Sequence, residues 1–387
     1  MNNCAIVAEY NPFHTGHKYQ IDNVKPLVDR IVCVMSGQFV QSGLPAFCDK
    51  SLRAKCAVLG GADAVVELPT VYATASAQYF AEGALKVISG IKDIKYMAMG
   101  ASSTRDELLY LSEIKNSDKF SDKLKCELKS GKSYNAATVA ALTSLCDKKH
   151  LDLPQIALSD PNNILCLEYI SAILKFAPNI SPLIVNRVGS GYNDLSLDKE
   201  YVSASAIRDN AKTSFDSVRK FIPYLSSEIE KEIMAHSPDI TAYKKMVVFA
   251  IKNISEKQIA GLRNCSEGME FLIKNLCGFS NYDDYIDSAI CKRYGKKRLQ
   301  RLFLDIVLGI DKSLLDKKFC TRLLACKNNF DYTILPNLVK TTNRDIKEAA
   351  KDEEVNSVLK VDEAAAALYN TLCGVDGNYY NYSLVKI

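Results

Sequence analysis

The chain has 387 residues, 48% of them hydrophobic and 24% charged, with a formal net charge of +4. That length excludes a single average domain and predicts two or three, built from the composition of an ordinary soluble globular protein. So mild a charge neither requires nor rules out nucleic acid, which leaves local clustering of cations as the informative signal. The thirteen cysteines are never closer than Cys320 and Cys326, so no CxxC zinc or redox pair exists. Cys4, Cys33 and Cys277 sit in apolar runs and read as buried free thiols in a reducing cytosol. With no signal peptide and no apolar run of about 18 residues, the expectation is a cytoplasmic protein with no membrane association.

Residues 4–10 form the first apolar run and predict a buried strand, stopped by Pro12. A helix is expected over 17–28, so His14, Gly16 and His17 occupy a strand–loop–helix corner that holds two of the chain's four histidines. Such a corner suits a nucleotide phosphate: the helix N-terminus offers N–H groups, Gly16 allows close approach and the imidazoles donate. Two capping or surface histidines beside a turn would have the same spacing. Residues 30–36 give a second strand, 49–59 an amphipathic helix, 64–68 a third strand, 75–88 a helix and 95–99 a fourth strand ending at Gly100. Continuous rather than alternating apolar strands, separated by helices, predict a Rossmann-like, doubly wound α/β domain with a parallel sheet. Ligands bind beyond the carboxyl ends of such strands, where 11–17, 36–38, 67–70 and 100–103 converge.

Residues 104–176 read as mostly helical, with Asp160-Pro161-Asn162-Asn163 opening one helix; 182–186 return to strand, with Arg187 at its end and Gly189 and Gly191 in the loop beyond. In 201–208 (YVSASAIR), Ser203 and Ser205 just ahead of a helix are N-caps and phosphate donors, and Arg208 reaches the same anion one turn later. Capping alone would also account for the serines. Past residue 215 helical periodicity dominates, which divides the chain into a nucleotide-binding catalytic domain, 1–214, and a helical domain, 215–387. The second contains Lys292, Arg293, Lys296, Lys297, Arg298 and Arg301, six cations within ten residues, a stretch that runs into a helix whose apolar face carries Leu299, Leu302, Phe303, Ile306 and Val307. With Tyr294 inside it, this stretch can track a nucleic-acid backbone, although a solvated face is the usual fate of a charge run.

Imidazole donors and a held cation, with Lys18 and Arg208 as candidates, suit in-line attack on the α-phosphate of ATP without a covalent enzyme intermediate. No Walker GKS or GKT and no GxSxG elbow occurs. His14 and His17 lack a third and fourth metal ligand, and magnesium held by phosphates and water would need no dedicated motif.

His14-Thr15-Gly16-His17 after the first strand, with a downstream SxSxIR, resembles the HIGH-type nucleotidyltransferase superfamily, whose members move an adenylyl group from ATP. More narrowly, AEYNPFHTGHKYQ, MSGQFVQSGLPAFCDK, GADAVVELP, PNNIL, NRVGSGYND and KRYGKKRLQRLFLDIVLGI, in that order, resemble the bacterial tRNA(Met) cytidine acetate ligase family from residue 2 to about 310. The resemblance implies two steps. Acetate attacks the α-phosphate of ATP to give acetyl-adenylate and pyrophosphate. The N4 amine of the wobble cytidine (position 34) of elongator tRNA(Met) then takes the acetyl group, leaving AMP. It assigns ATP to Val7, Ala8, Glu9, Tyr10, Asn11, Pro12, Phe13, His14, Thr15, Gly16, His17, Lys18, Tyr19 and Gln20, and to Gly100, Asn162, Asn163 and Arg187. His14 and His17 would stabilise the transition state. The chain departs from the pattern at MGASS, which lacks an acidic residue expected after Gly-Ser, and at Gln41-Ser42-Gly43-Leu44, which replaces a more charged loop. A small-molecule adenylyltransferase would leave the helical half without a purpose. A non-catalytic nucleotide- or RNA-binding protein would have no need of an intact His14, Gly16, His17 and Arg208.

Overall fold

Runs of β-branched and small apolar residues become the strands of one sheet. In the computed structural model, which describes residues 1–186, 196–198, 200–224, 226–266, 268–291 and 293–387, β1 (Asn3–Ala8), β2 (Arg30–Ser36), β3 (Ala64–Leu68), β4 (Ile94–Ala101) and β5 (Ser181–Asn186) pair in parallel. Arg187, Gly189, Gly191 and Lys292 lie outside the described residues. The strand order is β5-β4-β1-β2-β3, so the chain winds outward from β1 in both directions and the C-terminal end of β1 lies at the topological switch point.

Both faces of the sheet are apolar because alternate strand residues feed different cores. Val32, Val34 and Val66 pack with Tyr72, Phe80, Leu85 and Ile170, while Ile6, Cys33, Met35 and Val65 pack with Leu52, Ala57 and Val58. The helices supplying these contacts are α1 (Thr15–Val24), α2 (Lys50–Leu59), α3 (Thr70–Ala73), α4 (Ala77–Ile88) and α5 (Pro161–Phe176). The helix expected over 17–28 begins two residues earlier, at Thr15, because His14 caps it. It gives way after Val24 to a 3-10 turn, Lys25–Leu27, where Pro26 has no N–H for the α-helical ladder. All the cysteines are free thiols. Burial pushes those of Cys33 and Cys48 up to about 12, which keeps them unreactive.

After α6 (Ala204–Ala211), a helical block includes α7 (Ile240–Asn253), α8 (Met269–Asn275), α9 (Lys296–Leu308) and α10 (Glu353–Cys373). Its core joins Tyr243, Val247, Ile251, Leu299 and Phe303 to Tyr369 of α10, and also to Phe39, Val40 and Ala46 from the loop after β2. The sequence reading placed no strand beyond residue 215, and here the structure corrects it. β6 (Thr321–Cys326) pairs antiparallel with β3, and β7 (Val339–Lys340) and β8 (Val385–Lys386) pair with β6. All six residues of TRLLAC are buried, and so short a run carries no period that separates strand from helix. The 215–387 segment thus holds a helical block together with strands that complete the first sheet and cover the edge of β3. Among the described residues, no helix is long and apolar enough to cross a membrane.

Candidate active site

Beyond the end of β1 the backbone turns sharply. Tyr10 adopts φ 46°, the Asn11-Pro12 peptide is cis, and His14 at φ −140° caps α1. The Tyr10 ring is fully buried, with its hydroxyl 3.2 Å from Cys33 Sγ. Together Tyr10 and Phe13 form an aromatic bed for His17, with ring centroids at 4.8 and 5.8 Å.

The two histidines form a capping box. His14 Nδ1 accepts the Gly16 N–H at 3.0 Å, and His17 Nδ1 accepts the His14 N–H at 3.3 Å. A ring nitrogen that accepts is unprotonated, so each neutral imidazole carries its proton on Nε2. The capping function and a phosphate-donor function therefore use opposite nitrogens of one ring. The rings lie 3.8 Å apart. Gly16 leaves room for the capping ring: a Cβ on it would sit 2.8 Å from His14 Cε1, so the ring would have to shift. Thr15 Oγ1 is buried and has no partner among the described residues, which leaves a hydroxyl donor at the same corner.

The second motif meets the first. Arg208 on α6 donates to the Asn11 carbonyl at 2.5 Å. Ser203 is the cap of α6, accepting the Ala206 N–H at 3.1 Å, with Ser205 Oγ 3.0 Å from Ser203 Oγ. Expected ahead of the helix, Ser205 instead lies inside its first turn. The Tyr19 ring lies 5.2 Å from that of Tyr201, just before the cap. Lys18 is directed elsewhere: it pairs with Asp22 one turn along α1, on a partly exposed face. Val7 and Ala8 end β1, and Gln20 is half-buried in α1.

On the β4 side, Gly100 lies within the strand and opposite Val185 of β5. Asn163, 2% exposed, is committed to the turn that follows. Its Oδ1 accepts from Ser102 N and Ser103 N at 3.0 and 3.2 Å, and its Nδ2 donates to both serine hydroxyls at 3.0 and 2.9 Å. The neighbouring Asn162 donates from N and Nδ2 to Asp160 Oδ1. Asp160 Oδ2 accepts the Ser102 hydroxyl at 2.7 Å, so this turn does have a carboxylate, delivered from the cap of α5.

Sequence reasoning missed Arg53. It is 1% exposed and donates to the carbonyls of Glu9, Ser36, Gly37 and Cys48, which ties together the ends of β1 and β2 under the corner. An arginine on an amphipathic helix reads as surface charge. The available signal was its place one turn from Ala57 and Cys56 on the buried face of α2. Beside it, Lys50 and Glu67 form a buried pair at 2.5 Å.

The loop after β2 joins this crevice to the helical block. Glu9 Oε1 accepts the Gln41 N–H at 2.8 Å, and Tyr243 donates to the Gly43 carbonyl at 2.8 Å. Gly43 has φ +81°, and a Cβ on it would fall 2.7 Å from the Gln300 carbonyl and 2.9 Å from Arg301 Cα. The basic run therefore ends next to the loop that Glu9 holds. Arg293, Lys296 and Lys297 are exposed. Arg298 covers the Tyr294 ring at 5.4 Å. Arg301 turns inward, its Nε–H 3.3 Å from Asn264 Oδ1, and burial beside Arg263 pulls its guanidinium down to about 10. Among the described residues no three His, Cys, Asp or Glu side chains gather to hold a metal ion.

The family model for HIGH nucleotidyl transferases matches residues 1–381. A tRNA(Met) cytidine acetate ligase of Clostridium perfringens is 34% identical over 388 residues, covering 96% of each chain. One from Acetivibrio thermocellus is 35% identical over 325 residues, covering 80% of this chain and 78% of its own. Among solved structures, Thermotoga maritima TmcAL bound with alpha-thio ATP superimposes over 100% of both chains with TM-score 0.89 and 25% identity. Its apo form gives a TM-score of 0.91 at 26% identity. The chain belongs to the HIGH nucleotidyl transferases and, among them, to the tRNA(Met) cytidine acetate ligase family.

Proposed function

We propose that this protein activates acetate with ATP and transfers the acetyl group to N4 of the wobble cytidine, position 34, of elongator tRNA(Met), in the cytoplasm. The observation that carries this reading is the meeting of the two motifs, with Arg208 bonded to the backbone of Asn11, 197 residues earlier in the chain. That contact assembles imidazole, hydroxyl and guanidinium donors around one helix N-terminus. The names of the relatives support the substrates.

In the first step an acetate oxygen attacks the α-phosphorus of ATP, forming an O–P bond as the bond to the departing pyrophosphate breaks. His14 and His17 donate from Nε2 to the phosphoryl oxygens as charge grows there, and Thr15 and Arg208 add a hydroxyl and a fixed cation. Donors held in place before the reaction need no reorganisation during it, and each is worth about 2.7–4 kcal/mol in such sites. Magnesium would arrive with the nucleotide, held by phosphates and water, and neutralise their charge. In the second step the cytidine N4 attacks the acetyl carbonyl carbon. The bond to the AMP oxygen breaks, and N4 loses a proton.

The tRNA grip falls to the helical block. Lys296 and Lys297 occupy the first turn of α9, which contains no acidic residue, so they face the positive end of the helix dipole. An RNA phosphate there offsets that repulsion. The test is acetate-dependent exchange of pyrophosphate into ATP, followed by nucleoside analysis of tRNA(Met). Exchange that ignores acetate but responds to a phosphorylated metabolite would point to a small-molecule adenylyltransferase instead.

A further inference from the structure

We infer that the outer face of α7, centred on Phe249, is a stacking platform for an unpaired nucleotide of the RNA that presents the reacting cytidine. This rests on the tRNA reading above and gives the RNA a contact that the basic run alone does not supply.

Phe249 is 71% exposed, and among the described residues no large hydrophobic side chain is more so. The opposite face of the same helix is saturated: Tyr243, Val247 and Ile251 are fully buried. Phe249 therefore contributes nothing to the core. Lys245 stands one turn before it and Lys252 one turn after, both exposed. The adjacent Lys244 is neutralised by Asp283 at 2.6 Å, whereas Lys245 and Lys252 form no ion pair among the described residues. A ring between two unneutralised cations matches a nucleobase with a phosphate on either side, since stacking tolerates any base and lysines follow the backbone.

A second exposed ring lies on the helix packed against the end of α7. Lys274 of α8 donates to the carbonyls of Ile251, Lys252 and Ile254, at 3.2, 3.3 and 2.8 Å, and so clamps α8 to the C-terminal turn of α7. Phe271, one turn before Lys274, is 55% exposed. At its other end α7 reaches the crevice loop through Tyr243 and Gly43. Phe249 lies about 9 Å along the helix from Tyr243, at about 1.5 Å per residue, a separation that a single-stranded loop spans. Helix α7 also packs against α9, whose first turn carries Lys296 and Lys297. Charge selects the occupant: a second copy of this chain would set Lys245 and Lys252 against their own equivalents, while RNA complements them.

The test measures tRNA(Met) binding by the full chain at several salt concentrations. Phe249→Ala is expected to weaken binding about ten- to a hundredfold, the usual worth of one stacked base, without changing the salt dependence. Phe249→Trp should bind within about twofold of the unaltered chain and Phe249→Leu should fall with alanine, as a flat π-face requires. Replacing Lys245 and Lys252 should instead flatten the salt slope by about one per residue. Acetate-dependent pyrophosphate exchange should be unchanged in every variant. Unaltered affinity in Phe249→Ala, or full affinity in Phe249→Leu, overturns the platform while leaving the proposed reaction standing. So does a loss of self-association in Phe249→Ala with tRNA binding intact, which would make the face a protein interface. If the unaltered chain fails to bind tRNA(Met), the functional reading falls and this inference falls with it.

Discussion

Replacing His14 by asparagine separates the two uses of its ring. In the structure Nδ1 caps α1 by accepting the Gly16 N–H at 3.0 Å, and Nε2 is the nitrogen to which the proposed reaction assigns the phosphate contact. Asparagine is among the best N-caps, so Oδ1 can replace Nδ1, and stability should change by less than about 0.5 kcal/mol. The Nε2 donor is lost, and one preorganised donor to a developing oxyanion is worth about 2.7–4 kcal/mol, or about 10²–10³ in rate. His14→Ala should match that loss of rate and also lose about 1 kcal/mol of stability with the cap. The assay pairs acetate-dependent pyrophosphate exchange with thermal melting of the same samples. If His14→Asn retained the rate within a factor of a few, or lost rate and stability together, His14 would be a structural cap and the donor argument would be wrong.

His17→Ala should abolish adenylate formation yet leave tRNA(Met) affinity nearly intact; joint loss in a binding assay would mark a structural histidine. Arg53→Lys keeps the charge but cannot span four carbonyls, so adenylation should fall about tenfold or more with the fold retained. A normal rate in that variant would mean that the strand ends hold themselves. Lys296→Ala with Lys297→Ala should flatten the salt dependence of tRNA binding by about two, whereas Arg301→Ala should mainly lower the melting temperature. Burial, with Glu67 adding to it, raises the Asp362 carboxyl to about 7 against the opposing Thr70 N–H and Lys50. A carboxyl raised on folding favours the native state below its unfolded pKa of about 4, and that contribution is lost as pH climbs through about 7. Asp362→Asn should therefore be the more stable protein at pH 8, with the difference shrinking toward pH 5 in thermal melts; an unchanged pH profile would show that Asp362 stays ionised.

The sheet was legible wherever a strand is apolar on both faces and bounded by Gly, Pro or a charge. β2 and β3 begin and end at the residues the sequence implies. The corner was legible because HxGH places a glycine and two donors at a strand end. What stayed hidden depends on orientation, which spacing does not encode. β6 is too short to show a period, and its partner β3 is over 250 residues away in the chain. Arg53 and Arg301 carry the charge of surface residues but turn inward, one to carbonyls and the other toward Asn264. Asn163 looked like a ligand contact, yet its amide is used within the protein to shape the 102–103 turn. Lys18 follows His17 directly, but one residue of helix rotates it by about 100°, and it meets Asp22 instead. The bridge from the crevice to the helical block runs through Gln41 and Gly43, the loop where the sequence showed only a departure from pattern.

The most direct measurement incubates the purified chain with ATP, labelled acetate and tRNA(Met), then digests the RNA to nucleosides and identifies them by mass. The account predicts label in N4-acetylcytidine at the wobble position, formed together with AMP and pyrophosphate, and none when ATP or acetate is omitted. Pyrophosphate release without labelled cytidine, or acetylation that proceeds without ATP, would contradict it.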